Sequence, residues 1–155
     1  NDRPVGRFPR ALNQMKNPIQ VLGIDHVVLR VRDLSRALIF YQDVLGCREE
    51  RRIDALGLVQ LRAGSSLIDL VPLDSVLGRA GGAGPREEGR NVDHIALRIH
   101  GSDWPAVRER LEAAGLAPGE LSERYGAEGP GLSLYLRDPD DNVIELRGNP
   151  LREDR

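Results

Sequence analysis

A chain of 155 residues with 40% hydrophobic and 30% charged residues has the composition of a globular protein that can bury a core within one domain. A formal net charge of −2 and the lack of a basic tail or stripe exclude nucleic acid as an expected partner. No apolar run approaches the ~18 residues of a spanning helix, so no membrane role is expected, and the single Cys47 excludes a disulfide framework or Cys-rich zinc site and suits a reducing, cytoplasmic setting.

The first fourteen residues hold two prolines, no apolar h-region and no cleavage pattern, so they do not read as a secretory signal. Residues 1–21 are set aside as a flexible N-terminal arm or a sequence added for expression. The phrase IDHVVLRV (24–31) then predicts a strand, with Val27, Leu29 and Val31 alternating against His26, Val28 and Arg30. A helix follows. Asp33 or Ser35 can cap it, Leu34, Ala37, Leu38, Tyr41, Val44 and Leu45 recur at helical spacing, and Gly46 ends it. A weaker strand is expected around 48–54, and LVQLRAGSSLIDL (58–70) reads as two strands joined by a tight turn.

The glycine-rich stretch 73–90 lacks the Gly-Lys-Ser/Thr of a phosphate-binding loop and reads as a mobile connector. After it the order repeats. VDHIALRI (92–99) echoes the first strand 68 residues on, with Ile95, Leu97 and Ile99 alternating against His94, Ala96 and Arg98. Ser102 or Asp103 can cap a second helix, Pro105 suits its first turn, and Gly115 stops it. A weak strand near 119–124 precedes LYLRDPDDNVIEL (134–146), two strands joined by Asp-Pro-Asp-Asp-Asn. Arg62 matches Arg137, and Asp69 matches Glu145. The expected fold is α+β: two βαβββ modules (22–73 and 92–149) related by a pseudo-twofold axis, joined by a linker (74–91) and followed by a tail (150–155). They would form an open, barrel-like curved mixed sheet with helices outside.

Strand period two divides the side chains between two faces. Val27, Leu29 and Val31 belong to the helix-packed side, as do Leu134, Leu136, Ile144 and Leu146. The opposite face carries His26, Arg30, Gln60, Arg62 and Asp69 from the first module. From the second it carries His94, Arg98, Tyr135, Arg137, Glu145 and Arg147. This face, expected to be exposed, is too polar for a core and reads as the inside of a curved sheet that holds something. The pseudo-twofold would bring His26 toward His94 and Asp69 toward Glu145. Two imidazoles and a carboxylate with open coordination positions suit a divalent first-row metal. His100 has no counterpart, since Arg32 stands in its place, and is assigned to the surface. Asp138, Asp140 and Asn142 begin like a calcium loop, but Val143 stands where that loop requires glycine and Asn149 where it requires glutamate.

The stretches IDHVVLRVRDLSRALIFYQDVLG, VDHIALRI and LSLYLRDPDDNVIEL together resemble the vicinal oxygen chelate superfamily, over about residues 22–149. That group includes glyoxalase I, bleomycin- and fosfomycin-resistance proteins, extradiol dioxygenases and methylmalonyl-CoA epimerase. The segment 126–146 is most similar to the single-domain glyoxalase-like proteins. The resemblance implies metal ligands at His26, His94 and Glu145, with one divalent ion (Zn, Ni, Mn or Fe(II)). Asp69 stands where glyoxalases carry a fourth ligand, usually glutamate. Being one methylene shorter, it is left open between coordination through water, proton transfer and no binding. Tyr135 stands where metal-dependent relatives place an active-site tyrosine.

The resemblance implies a metal-dependent lyase or isomerase acting on a small substrate through two adjacent oxygens. Asp69 and Tyr135 would be its catalytic groups, and Arg30, Arg98 and Arg137 would attract an anionic substrate. The alternatives are a metal-free binding or resistance protein, an extradiol dioxygenase and a fosfomycin-type transferase. The dioxygenase reading is weakened because its extra catalytic histidine has no match at His100. A homodimer is expected, because such modules commonly pair across subunits and the linker permits exchange.

Overall fold

The computed structural model describes residues 24–85, 88, 92–100 and 103–151; the N-terminal arm, most of the end of the linker and the last four residues lie outside them. Strand β1 (His26–Val31) leads into helix α1 (Leu34–Leu38), which is capped by the Asp33 carboxylate accepting from the Arg36 N–H. The helix widens into a π-helical stretch, Ile39–Val44, whose register is marked by the Leu45 N–H donating to the Phe40 carbonyl at 3.1 Å. This turn lets the successive rings of Phe40 and Tyr41 both face inward, packed edge to face at 5.0 Å. Strands β2 (Arg48–Ile53), β3 (Leu58–Ala63) and β4 (Ser66–Pro72) complete the first module.

The expected connector contains helix α2 (Val76–Ala80), capped by Ser75. The second module follows as β5 (His94–Arg98), α3 (Trp104–Ala113), β6 (Ser122–Gly126), β7 (Gly129–Arg137) and β8 (Val143–Pro150). Each module forms a four-stranded mixed sheet, ordered β1-β4-β3-β2 and β5-β8-β7-β6, and neither sheet closes. In each sheet the first strand runs parallel to the last and the others pair antiparallel. One core joins the modules. It includes Phe40, Leu61 and Leu70 from the first and Leu111, Leu134 and Ile144 from the second.

Polar contacts reinforce that junction. The buried Tyr41 hydroxyl donates to Asp138 Oδ2 at 2.7 Å, and the Arg32 N–H donates to Asp140 Oδ1 at 2.9 Å. Asp138 Oδ1 accepts from the backbone N–H groups of Asp140 and Asn142, and Oδ2 also accepts from the Asn142 side-chain amide. The Asp-Pro-Asp-Asp-Asn turn therefore does more than reverse the chain, since its carboxylates anchor it to the first module.

Candidate metal centre

The register places equivalent donors on equivalent strands. In the first sheet Asp69 lies beside Val28 on one side and Gln60 on the other. In the second, Glu145 lies beside Ala96 and Tyr135. Gln60 is therefore the first module's counterpart of Tyr135. Each contacts its acid from the neighbouring strand: Gln60 Nε2 donates to Asp69 Oδ2 at 3.0 Å, and the Tyr135 hydroxyl donates to Glu145 Oε2 at 3.0 Å.

The aspartate before each histidine has a structural task. Asp25 Oδ1 lies 2.7 Å from His26 Nδ1, and Asp93 Oδ1 lies 2.7 Å from His94 Nδ1. A proton held on Nδ1 leaves Nε2 as the lone-pair nitrogen, the arrangement by which a second carboxylate orients a metal-binding imidazole. The hydrogen bond to Asp25 holds the His26 imidazole above its ordinary value of 6.5; burial opposes that and the Asp69 charge adds to it. His94 Nε2 faces Glu145 Oε2 at 3.1 Å, and its ring meets Tyr135 edge to face at 5.6 Å. Arg124 Cζ also sits over the Tyr135 ring, 5.8 Å from its centre.

His94, Glu145 and Tyr135 thus form one cluster. His26 is on the other sheet, and both histidines border a cavity of about 1040 Å³ that Arg62, Arg98, Glu145 and Arg147 also line. Among the described residues no three His, Cys, Asp or Glu side chains gather into a metal-holding group, so His26 does not join His94 and Glu145 within one chain. The donor types still suit the ion: two imidazole nitrogens and a carboxylate are ligands for Zn, Ni, Mn or Fe(II). The first sheet, on the His26 side, holds an orphan that does not line this cavity. Asp69 is 3% exposed, and its Oδ1 is buried with no hydrogen-bond partner.

Burial corrects the sequence reading in one respect. The polar face is not uniformly exposed, because Asp69, Glu145 and Arg147 are buried. Helix α2 packs against β4, with Gly78 so close to the end of that strand that a Cβ would lie 1.9 Å from the Pro72 carbonyl oxygen. The three arginines expected to meet substrate are all engaged. Arg30 donates to the carbonyls of Gly78, Gly82 and Ala83, fastening α2 and the loop after it to the sheet. Arg98 pairs with Glu128, and Arg137 with Asp141 at 3.0 Å.

The family model for the Glyoxalase/Bleomycin resistance protein/Dioxygenase superfamily matches residues 23–146. The chain belongs to that superfamily. Similar members include virulence protein STM3117 of Salmonella typhimurium, 30% identical over 79% of this chain and 81% of the relative. Its crystal structure superposes with a TM-score of 0.64, covering 84% of this chain and 98% of that one at 28% identity. Fosfomycin resistance protein FosX of Mesorhizobium japonicum is 28% identical over 84% of this chain and 88% of its own length. Lactoylglutathione lyase of Haemophilus influenzae is 30% identical, covering 83% of this chain and 93% of the lyase. Superfamily membership fits the two mixed sheets, which the repeat in the sequence already implied. No helix among the described residues is long and apolar enough to cross a membrane.

Four residues carry roles at the site that the sequence reading did not assign, although it placed Gln60 and Arg147 on the polar face. Asp25 and Asp93 were visible as the repeated Asp-His, but their hold on Nδ1 is a matter of side-chain geometry. Gln60 could have been matched to Tyr135 by the same offset that pairs Arg62 with Arg137. Arg147 shares the cup face with Glu145, yet no repeat partner marks it, because Val71 stands in the equivalent place.

Proposed function

We infer that the chain is a divalent-metal-dependent, glyoxalase-like enzyme of the cytoplasm, a lyase or isomerase acting on a small molecule through two adjacent oxygens. The observation that carries this reading is the His94–Glu145–Tyr135 cluster, with Nδ1 of both repeat histidines engaged and Nε2 left for a metal. His94 and Glu145 would hold the ion from one module and His26 would supply the third donor from the other. Since three donors do not gather among the described residues of one chain, His26 would come from a second copy in a homodimer. When bound, the metal supplies Lewis-acid stabilisation of negative charge on the substrate oxygens.

The chain's own groups do the rest. Tyr135 donates its one hydroxyl proton to Glu145 in this structure and would turn it to a bound oxygen once a metal engages that carboxylate. Asp69 is the proton acceptor: Gln60 fixes one carboxylate oxygen and the other has no partner to give up. Relatives named fosfomycin resistance proteins support a second reading, in which the same donors act on that antibiotic.

The test is titration of the chelator-stripped chain with Mn, Zn, Ni and Fe(II), followed by assay on hemithioacetal, fosfomycin and catechol substrates. One ion per site, lost in His94→Ala, is expected. No stoichiometric binding, or binding unchanged in His94→Ala, overturns the reading.

A further inference from the structure

Among the described residues Arg147 is the one buried arginine on the cup face, at 8% exposure, two residues beyond Glu145 on the same strand and the same side. Its hydrogen bonds go only to uncharged acceptors. Nη1 donates to the Arg124 carbonyl at 2.9 Å and reaches Ser133 Oγ at 3.5 Å, and Nη2 donates to the Gly129 carbonyl. Among the described residues no carboxylate lies within ion-pair distance of it. The two acids that line the cavity with it already have partners, Glu128 in Arg98 and Glu145 in His94 and Tyr135. The register also sets Arg98 directly beside Arg147 across β5 and β8, where like charges repel. Arg98 has Glu128 as its counter-ion, whereas the buried Arg147 guanidinium has no anion of its own, an incomplete arrangement.

The unfilled part has a shape. A guanidinium carries five N–H groups, and Nε–H and one Nη2–H form a side-on fork. No acceptor meets Nε here, and Nη2 has one. The chain beside the fork is glycine: a Cβ on Gly126 would come within 2.5 Å of Nε, and one on Gly131 within 3.0 Å of Nη2. The absence of side chains at both positions lets the β6–β7 hairpin backbone approach the guanidinium closely. Arg147 also lines the cavity shared by His26, His94 and Glu145.

We propose that the side-on fork of Arg147 binds a carboxylate of the substrate, holding that group beside the metal donors so that the substrate's two adjacent oxygens meet them. The assignment to a carboxylate follows from charge and shape. Arg98 is already neutralised by Glu128, leaving one positive charge for one negative charge, and a planar two-oxygen group matches a planar fork. Only the link to the substrate rests on the metal-enzyme reading; the fork itself is a property of the chain.

The test follows the Arg147 Nε–H resonance by NMR in the whole chain, before and after metal removal, as propionate or methylphosphonate is added at constant ionic strength. A saturable shift with propionate, stronger than with methylphosphonate, is expected in both forms. Arg147→Lys, which keeps the charge but loses the fork and its reporter resonance, should weaken propionate binding about tenfold or more when read by isothermal titration calorimetry beside the unaltered chain. Gly126→Ala, which keeps Arg147 and drives a methyl against Nε, should abolish it; this variant covers the case in which Arg147→Lys fails to fold. An unmoved resonance, tighter binding of methylphosphonate, or full propionate binding in Gly126→Ala overturns the proposal. Failure of metal binding with the propionate shift intact would sink the metal-enzyme reading alone.

Discussion

Tyr41→Phe isolates the polar joint between the modules. The hydroxyl is fully buried and donates at 2.7 Å to a carboxylate that also receives three other hydrogen bonds, two from backbone N–H groups and one from Asn142. A hydrogen bond to a charged group contributes about 1.5–3 kcal/mol. Phenylalanine preserves the ring packing, and Asp138 keeps its other donors, so the loss should fall near the low end, about 1.5–2 kcal/mol. Asp138→Ala should cost more, about 3–5 kcal/mol, because it strands the buried phenol and two N–H groups together. If the two side chains act on each other, the double variant should be less destabilised than the sum by about 1–2 kcal/mol. Denaturant unfolding read by Trp104 fluorescence and by far-ultraviolet circular dichroism measures all three. Trp104 is the only tryptophan and is buried on α3, so one probe reports the second module and the other the whole chain. A Tyr41→Phe change below about 0.5 kcal/mol, or strict additivity, would refute the joint.

The same phenol governs alkaline stability. Burial, then the Asp138 charge and hydrogen bond, push Tyr41 far above its ordinary value of 10.0. The unfolded chain therefore releases this proton first as pH rises. The stabilisation is whole below about pH 10 and falls above it by up to about 1.4 kcal/mol per pH unit, a slope that Tyr41→Phe should lack in unfolding measured from pH 9 to 11. At the metal centre, Asp93→Ala should lower metal affinity by about tenfold, the weak end of such orienting contacts, because the Asp93 side chain is 97% exposed. Isothermal titration of the stripped protein checks this, and an unchanged affinity would deny Asp93 its orienting role. Mixing His26→Ala with His94→Ala, each unable to bind metal, should restore about a quarter of the sites if one copy donates His26 and the other His94. No restoration would place all three donors on one chain.

Much of this architecture was legible because it is local and doubled. Alternation over 26–31 and 94–98 fixed which way His26 and His94 point, and the hairpin spacing then put Asp69 and Glu145 on the same sides. The hidden parts depend on segments that fold back from elsewhere. Burial of Asp69, Glu145 and Arg147 depends on the tertiary packing around the cup, which strand alternation alone does not show. Arg30 shows the same limitation, since its contacts with Gly78, Gly82 and Ala83 connect a strand to the segment expected to be a mobile connector. The π-helical widening at Ile39–Val44 was equally invisible, because helical spacing alone did not reveal that Phe40 and Tyr41 would both turn inward. Nor could spacing assign Asp138 to Tyr41, 97 residues away, although Asp138 had been noticed as part of a turn.

The most direct test of the central claim is an anomalous-difference map from crystals of the metal-loaded protein, collected at the absorption edge of the bound ion. The account predicts one peak per site within about 2.0–2.2 Å of His26 Nε2, His94 Nε2 and a Glu145 carboxylate oxygen. A strong peak elsewhere, such as at Asp138, Asp140 and Asn142, or none at His94 and Glu145 in protein shown to hold metal, would contradict it.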